Sequence, residues 1–328
     1  MANKVLNWGL LSTARINNAL IPPLRASKRN HLFAVASRTQ ESADQYAREK
    51  QISRAHGSYE ALLADPEIDV IYNPLPNHLH AEWTIKAVEA GKHVLCEKPL
   101  ALNVDEVDAM QAAARKHGRV VMEAFMYRHH PQTLKVQEIV KSGSLGTLKL
   151  VRGSFSFMLS REGDVRLDPA MGGGSIWDIG CYPISYARSV LGENPLEVFG
   201  WQVTGPTGID ETFVGQMRFA NDVLMQFDSS FAIPFHAVVE IIGSEGTLNV
   251  PKPFQPYENE KIYLTHGDKT ETIKIKGQEL YIGEVENMAD AILLGHEPRI
   301  SFADSRANVG VISALLESER VGKPVKII

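Results

Sequence analysis

The sequence predicts an α/β protein in two parts. Residues 1–127 read as a Rossmann domain, a doubly wound parallel sheet, and residues 128–328 as an α+β domain with a large, mostly antiparallel open sheet. Three observations carry this reading. A chain of 328 residues is long enough for two domains of ordinary size. In its first part short apolar runs alternate with helical segments, the pattern of parallel strands covered on both faces. In its second part longer strand-like segments follow one another across short connections, as in antiparallel sheets.

The elements follow in order. VLNWGLL (5–11) is a strand, and Arg15 to Ala26 is a helix that Pro22 and Pro23 must kink or divide. HLFAVAS (31–37) is the second strand, followed by a helix over 40–51. DVIYN (69–73) is a strand, and the helix from His78 to Ala90 is closed by Gly91. HVLCE (93–97) leads to a helix capped by Asn103, with Glu106 three residues on in a variant of the capping box; it stops at Gly118. VVMEAF (120–125) ends the series. After a helix over 131–142 come the strand segments 147–158, 196–204, 211–220, 223–232 and 237–244. A long helix between Gly172-Gly173-Gly174 and Gly192 interrupts them, and two helices close the chain, the last from Ser301 with Asp304 in its first turn.

Composition excludes several classes. Hydrophobic residues at 44% and charged residues at 22% are the balance of a globular protein. A net charge of −5 offers no basic footprint for nucleic acid. The apolar runs are too short to span a bilayer, and the N-terminus lacks the apolar core and cleavage site of a signal peptide. Two cysteines, Cys96 and Cys181, make neither a disulfide framework nor a four-ligand zinc site. A cytoplasmic protein without nucleic-acid or membrane partners is expected.

The first strand-to-helix turn is the place for a dinucleotide pyrophosphate. Here Gly9 leads into Ser12, Thr13, Ala14, Arg15 and Ile16, and the glycine fingerprint is replaced by Ser12-x-Ala14-x-x-Asn17. The residues stay small or polar, and a helix N-terminus still offers N–H groups to an anion; an ordinary βα turn fits the stretch equally well. The second strand ends on Ser37 and Arg38 instead of the acid that holds a ribose 2′-hydroxyl, so a bound dinucleotide is expected to be NADP(H).

Ligands of open α/β sheets sit at the carboxyl ends of strands. Three such ends are polar and fixed by prolines: Asn73, Pro74, Leu75, Asn77 and the following His80; Glu97, Lys98 and Pro99; and Tyr127 to Pro131. In the second part, Asp178 and Tyr182 lie four apart after the glycine triple and share one helix face. A tyrosine with a nearby ammonium can exchange a proton with a carbinol, and Lys98 is the natural ammonium. Spacing alone equally allows Tyr182 as a core aromatic and Asp178 as a structural hydrogen-bond partner.

At this point the residues carry a likeness. Glu97-Lys98-Pro99, EAFMYRHHP (123–131) and GGGSIWDIGCY (172–182) resemble the glucose–fructose oxidoreductase, inositol dehydrogenase and rhizopine-catabolism (Gfo/Idh/MocA) family, end to end. The branch it is most similar to includes NADP-dependent D-xylose dehydrogenase and dimeric dihydrodiol dehydrogenase. The resemblance implies that Lys98 stands beside nicotinamide and substrate, with Pro99 stiffening the turn. It implies that Tyr182 replaces the histidine of many relatives as proton donor or acceptor, and that Asp178 orients the substrate or the lysine. The resemblance also implies that Arg166 and Tyr281 reach the cofactor and that Met126 and Arg128 line the site.

The paired histidines His78/His80 and His129/His130 lack a carboxylate or cysteine set, so no metal is expected. The expected activity is NADP(H)-dependent hydride transfer at a carbinol carbon of a sugar or polyol, as an aldose 1-dehydrogenase of the D-xylose or D-glucose type. A keto- or deoxy-sugar reductase, a dihydrodiol dehydrogenase and a non-catalytic NADP(H) sensor are the alternatives. The open sheet, which needs covering, predicts a homodimer or homotetramer.

Overall fold

The structure is a computed structural model and describes residues 4–161 and 163–327. Contacts divide it into two compact units. The first runs to Met126 and takes in Tyr281–Arg306; the second comprises Tyr127–Leu280 and the chain from Ala307. The sequence reading placed a single boundary after residue 127 and left 281–306 in the second part.

The first unit is a six-stranded parallel sheet. Its strands are β1 (Leu6–Leu10), β2 (Asn30–Ala36), β3 (Arg54–His56), β4 (Val70–Asn73), β5 (His93–Glu97) and β6 (Val121–Ala124). Their order is β3-β2-β1-β4-β5-β6, so strand order reverses between β1 and β4. That is the crevice where doubly wound sheets bind ligands. The helices are α1 (Asn17–Ala26), α2 (Gln40–Lys50), α3 (Tyr59–Leu63), α4 (His80–Glu89) and α5 (Val104–His117). Leu6, Trp8 and Leu10 of β1 and all of β4 are buried, as strands covered on both faces require. Pro22 and Pro23 do not divide α1, which runs through both as one helix. At α5 the Asn103 side chain accepts from the Glu106 N–H at 2.9 Å, and Glu106 Oε2 accepts from the Leu102 N–H at 3.0 Å, so the capping variant forms.

The returning segment is tied to this unit by charge. The Arg29 guanidinium, ahead of β2, donates through Nε to Glu286 at 2.8 Å and through a terminal nitrogen to Asp290 at 2.6 Å. Both acids lie on α8 (Ile282–Leu294). Arg306 pairs with Asp108 of α5 at 2.7 Å.

The second unit begins with α6 (Pro131–Lys141), capped by the His130 side chain. It is built on a nine-stranded sheet: β7 (Leu148–Ser156), β8 (Glu197–Thr204), β9 (Asp210–Arg218), β10 (Leu224–Ser230), β11 (His236–Gly243), β12 (Thr247–Val250), β13 (Asn259–His266), β14 (Lys269–Lys276) and β15 (Val325–Lys326). The order is β14-β13-β12-β11-β7-β10-β9-β8-β15. Every pairing is antiparallel except β7 with β10. The helix after the glycine triple opens as a π turn, Ile176–Gly180, and continues as α7 (Cys181–Leu191). The π turn contacts β7, β9 and β10. The last helix, α9 (Phe302–Val321), is capped by Ser301 Oγ, which accepts from the Asp304 N–H at 3.2 Å.

Candidate active site

In the first unit the switch-point connections carry the candidate residues. After β1 the chain turns through Ser12 to Ile16 into α1. Ser12 Oγ accepts from the Ala14 N–H at 3.1 Å, and Asn17 Nδ2 donates to the Ser12 carbonyl at 2.7 Å. The turn is thus closed by side chains where a glycine fingerprint would close it by backbone alone. α1 itself begins without a side-chain cap; its first N–H groups, of Asn17, Asn18 and Ala19, donate to the carbonyls of Ala14, Arg15 and Ile16 at 2.9–3.1 Å. Gly9 serves packing: a Cβ there would press on Ile68, Leu62 and Ile71 at 3.1–3.3 Å.

Two residues past β2, Arg38 is exposed and pairs with no carboxylate among the described residues. Ser37 beside it is buried, its N–H bonded to the His56 carbonyl at 3.0 Å. An available guanidinium and no acid fit a 2′-phosphate. After β4, Asn73 is wholly buried and spent on shaping its own loop. It donates to the His80 carbonyl and Thr84 Oγ1, both at 3.2 Å, and accepts from the Leu75 N–H at 3.3 Å.

Lys98 sits at the carboxyl end of β5, joined to Pro99 by a cis peptide bond. Glu97 and Lys98 are half-buried, Pro99 and Leu100 are buried, and the surroundings within the unit are polar. The Tyr72 hydroxyl, from β4, donates to Glu97 Oε1. Glu97 Oε2 accepts from the Lys98 N–H at 3.3 Å. Glu123 Oε1, from β6, accepts from the Leu100 N–H at 2.9 Å. His80, the first residue of α4, has Nδ1 2.7 Å from the Pro99 carbonyl and Nε2 2.7 Å from the Leu75 carbonyl. Burial pushes the His80 imidazolium pKa down to about 4. A neutral ring has a single N–H for two acceptors, so each tautomer holds one of the two loops. Burial, with the Glu97 carboxylate beside it, pushes the Tyr72 phenol well above its ordinary range, so Tyr72 stays a donor. Tyr281 directly precedes α8, in this unit.

In the second unit Asp178 lies inside the π turn and Tyr182 in the first turn of α7. Asp178 Oδ2 accepts from Arg166 Nε at 2.8 Å, and the same guanidinium donates to Asp164 Oδ1 at 3.1 Å. The Asp178 charge beside it holds Arg166 firmly protonated. Arg166 is therefore brought to Asp178. The π turn is anchored by Asp210, whose Oδ2 accepts from Ser175 Oγ at 2.8 Å and the Ile176 N–H at 2.7 Å. Burial raises the Asp210 carboxyl pKa to about 6. Tyr182 is 6% exposed among aromatic rings: Phe155 edge-on at 5.3 Å, Phe254 at 5.6 Å and Tyr127 at 5.8 Å between centroids. Arg128 donates to Ser185 Oγ on α7 at 3.1 Å, and Met126 is buried at the end of the first unit.

Other candidates are accounted for structurally. Burial raises the Cys96 thiol, which makes it a poor nucleophile; Cys181 is buried as well. His130 Nδ1 accepts from the Gln132 N–H at 3.1 Å. No group of three metal-ligating side chains occurs among the described residues. Sequence reasoning missed Tyr72, Glu123 and Asp210. A tyrosine inside the apolar strand DVIYN and an acid inside VVMEAF were visible signals, since a polar group on a buried strand needs a partner. Nothing marked Asp210.

The fold and these strand-end residues define a dinucleotide-dependent oxidoreductase. Residues 6–125 match the model of the oxidoreductase family with an NAD-binding Rossmann fold, and residues 133–249 match the GFO/IDH/MocA C-terminal domain. The chain belongs to the Gfo/Idh/MocA family. It is 37% identical to D-xylose 1-dehydrogenase (NADP(+)) 2 of Haloferax volcanii over 98% of this chain and 99% of that protein. A 3-ketoreductase from Actinomadura kijaniata, in complex with NADP and TDP-benzene, superposes with a TM-score of 0.92 at 28% identity, covering 96% and 98% of the two chains. An aldose-aldose oxidoreductase from Caulobacter crescentus, complexed with glycerol, gives 0.91 at 26% identity over 98% and 100%.

Proposed function

We propose that the protein is an NADP(H)-dependent oxidoreductase acting on a carbinol carbon of a sugar or polyol, and that it is an aldose 1-dehydrogenase of the D-xylose or D-glucose type. The observation that carries this is the Lys98 turn, a lysine fixed at the carboxyl end of a Rossmann strand by buried polar groups. The full-length likeness to a D-xylose 1-dehydrogenase supports the substrate class.

In this reading the unit up to Met126, with Tyr281–Arg306, holds the dinucleotide, and the other unit provides the substrate-binding groups. Ser12 to Ile16 and the start of α1 take the pyrophosphate. Ser37 and Arg38 take the 2′-phosphate. The loop from Asn73 to Asn77, Glu97 and Tyr281 line the nicotinamide half. The nicotinamide, when bound, supplies the acceptor for the hydride. Tyr182, as phenolate, takes the hydroxyl proton of the substrate while its carbinol hydrogen leaves with two electrons; an aldose becomes a lactone. The Lys98 ammonium stabilises the phenolate or alkoxide. Asp178, fixed by Arg166, orients the substrate, and Met126 and Arg128 line its site. Reduction of a keto-sugar uses the same groups in reverse, and the likeness to the 3-ketoreductase supports that direction as a second reading.

A homodimer or homotetramer formed through the open sheet completes the proposal. β8 and β9 expose Trp201, 59% accessible, opposite Val214, with Val203 on the same face, and β10 adds Leu224. A second copy laid face to face would remove this apolar surface from water. Neither cysteine is in a disulfide among the described residues, which suits the cytoplasm.

The test is nicotinamide absorbance with NADP+, and separately NAD+, across aldoses, polyols and dihydrodiols. Turnover of D-xylose or D-glucose with NADP+ supports the reading, and its loss in Lys98→Met separates catalysis from cofactor sensing. NADP(H) binding with no turnover of any aldose refutes the aldose 1-dehydrogenase assignment.

A further inference from the structure

We propose that Tyr72, His80 and Glu123 are positioning residues that grip the Lys98–Pro99 turn at three places, Glu97, Pro99 and Leu100, and so set the location of the lysine. This deepens the reading of Lys98 as the catalytic ammonium and rests on it. The grips come from three different elements. Tyr72 of β4 holds the Glu97 carboxylate just before the lysine. His80 at the start of α4 reaches the Pro99 carbonyl just after it, at 2.7 Å. Glu123 of β6 takes the Leu100 N–H one residue further, at 2.9 Å. Glu97 turns back on the Lys98 N–H itself.

All three side chains are buried: Tyr72 and His80 are fully inaccessible and Glu123 is 1% exposed. A phenol, an imidazole and a carboxylate are costly to take out of water. Apolar residues of similar size would fill the same space without that cost. Each of the three polar side chains has a hydrogen-bond contact with the stretch Glu97 to Leu100 that contains Lys98, so the return is positional. A lysine stem has four rotatable bonds, and fixing its backbone is the first condition for presenting its ammonium at one point. His80 adds a choice: its other nitrogen faces the Leu75 carbonyl, so the single N–H of the neutral ring holds either the lysine turn or the loop after β4.

The test uses Tyr72→Phe, which removes a single hydroxyl, with Glu123→Leu and Glu123→Gln. The Gln side chain can still accept from the Leu100 N–H and is the conservative rescue. Two readouts are taken on folded protein. The first is competitive acetylation of Lys98 measured by mass spectrometry against the exposed Lys116, which needs no cofactor or substrate. The second is kcat and KM with NADP+ and the aldose found active. Tyr72→Phe and Glu123→Leu are expected to raise Lys98 labelling about fivefold, the factor for ~1 kcal/mol of lost hydrogen bonding. They are expected to lower kcat about tenfold or more with a smaller change in KM, as misplacement of a reacting group does. Glu123→Gln is expected to stay near wild type in both. Wild-type labelling and kcat in both Tyr72→Phe and Glu123→Leu would overturn the proposal. Should the wild type turn over no sugar at all, labelling still decides: altered Lys98 reactivity sustains the grip while the catalytic reading falls, and unaltered reactivity removes both.

Discussion

Replacing Gly174 by alanine tests how the second unit holds its candidate acid and phenol. Gly174 adopts φ +125°, a conformation L side chains rarely take, and a Cβ there would lie 2.1 Å from Asp210 Oδ1. The carboxylate cannot retreat freely, because Oδ2 accepts from Ser175 Oγ and the Ile176 N–H, the first bonds of the π turn that contains Asp178. Two costs therefore combine. Backbone strain contributes ~1–3 kcal/mol. Loss of a hydrogen bond to the displaced carboxylate adds ~1.5–3 kcal/mol. The expected destabilisation is about 3–5 kcal/mol, with a fall in kcat because Asp178 and Tyr182 move with the turn. Gly192→Ala is the control. Gly192 has φ +73° with nothing within 4 Å of its Cβ position, so only the left-handed backbone term of about 1–2 kcal/mol remains. The assay is urea unfolding of both variants, read as a shift of midpoint at constant slope, with kcat measured alongside. Equal losses in the two variants, with kcat of Gly174→Ala at wild type, would refute the idea that Asp210 anchors the site through that contact.

Further outcomes follow from the same geometry. Arg38→Ala is expected to cut the preference for NADP+ over NAD+ by about 10- to 100-fold, the worth of charge-assisted bonds to a 2′-phosphate, measured as the ratio of kcat/KM values; an unchanged ratio would place the 2′-phosphate elsewhere. Tyr182→Phe is expected to lower kcat by about 10²- to 10⁴-fold with little change in KM, whereas a structural aromatic would tolerate the exchange. The Asp210 carboxyl titrates near 3.8 in the unfolded chain and at about 6 when folded. Between those values the folded state binds the extra proton, so this group's contribution falls as pH rises through the window, by about 3 kcal/mol in all. Asp210→Asn should flatten that part of a stability–pH curve recorded by denaturant midpoints, and an unchanged slope would contradict the assignment.

Much of the first unit was legible because parallel strands buried on both faces are near-continuous apolar runs, and 5–11, 31–37, 69–73, 93–97 and 120–125 are such runs. β3 was not, since Arg54, Ala55 and His56 are three half-buried residues with no apolar run. β13 and β14 were hidden by lysines, glutamates and threonines on their solvent side, although Ile262, Leu264 and Ile275 alternate inward. The attachment of 281–306 to the first unit had no local signal: Arg29 meets acids 257 and 261 residues away. Lys98, Asp178 and Tyr182 stood out because charge, proline and glycine interrupt apolar segments there. The partners of Arg166 did not, because Asp164 and Asp178 are brought to it by a loop whose path depends on Gly173, where a Cβ would lie 2.5 Å from the Arg166 carbonyl oxygen. The π turn was equally invisible, since a single turn of five residues is too short to set a periodicity of its own.

The central claim is that this chain moves a carbinol hydrogen from a sugar to NADP+. The most direct measurement incubates the purified protein with NADP+ and D-xylose or D-glucose deuterated at carbon 1, and locates the label by mass spectrometry. The account predicts deuterium in the reduced dinucleotide, lactone or its acid as product, and neither in Lys98→Met. Dinucleotide binding with the label left wholly in unreacted sugar would contradict it.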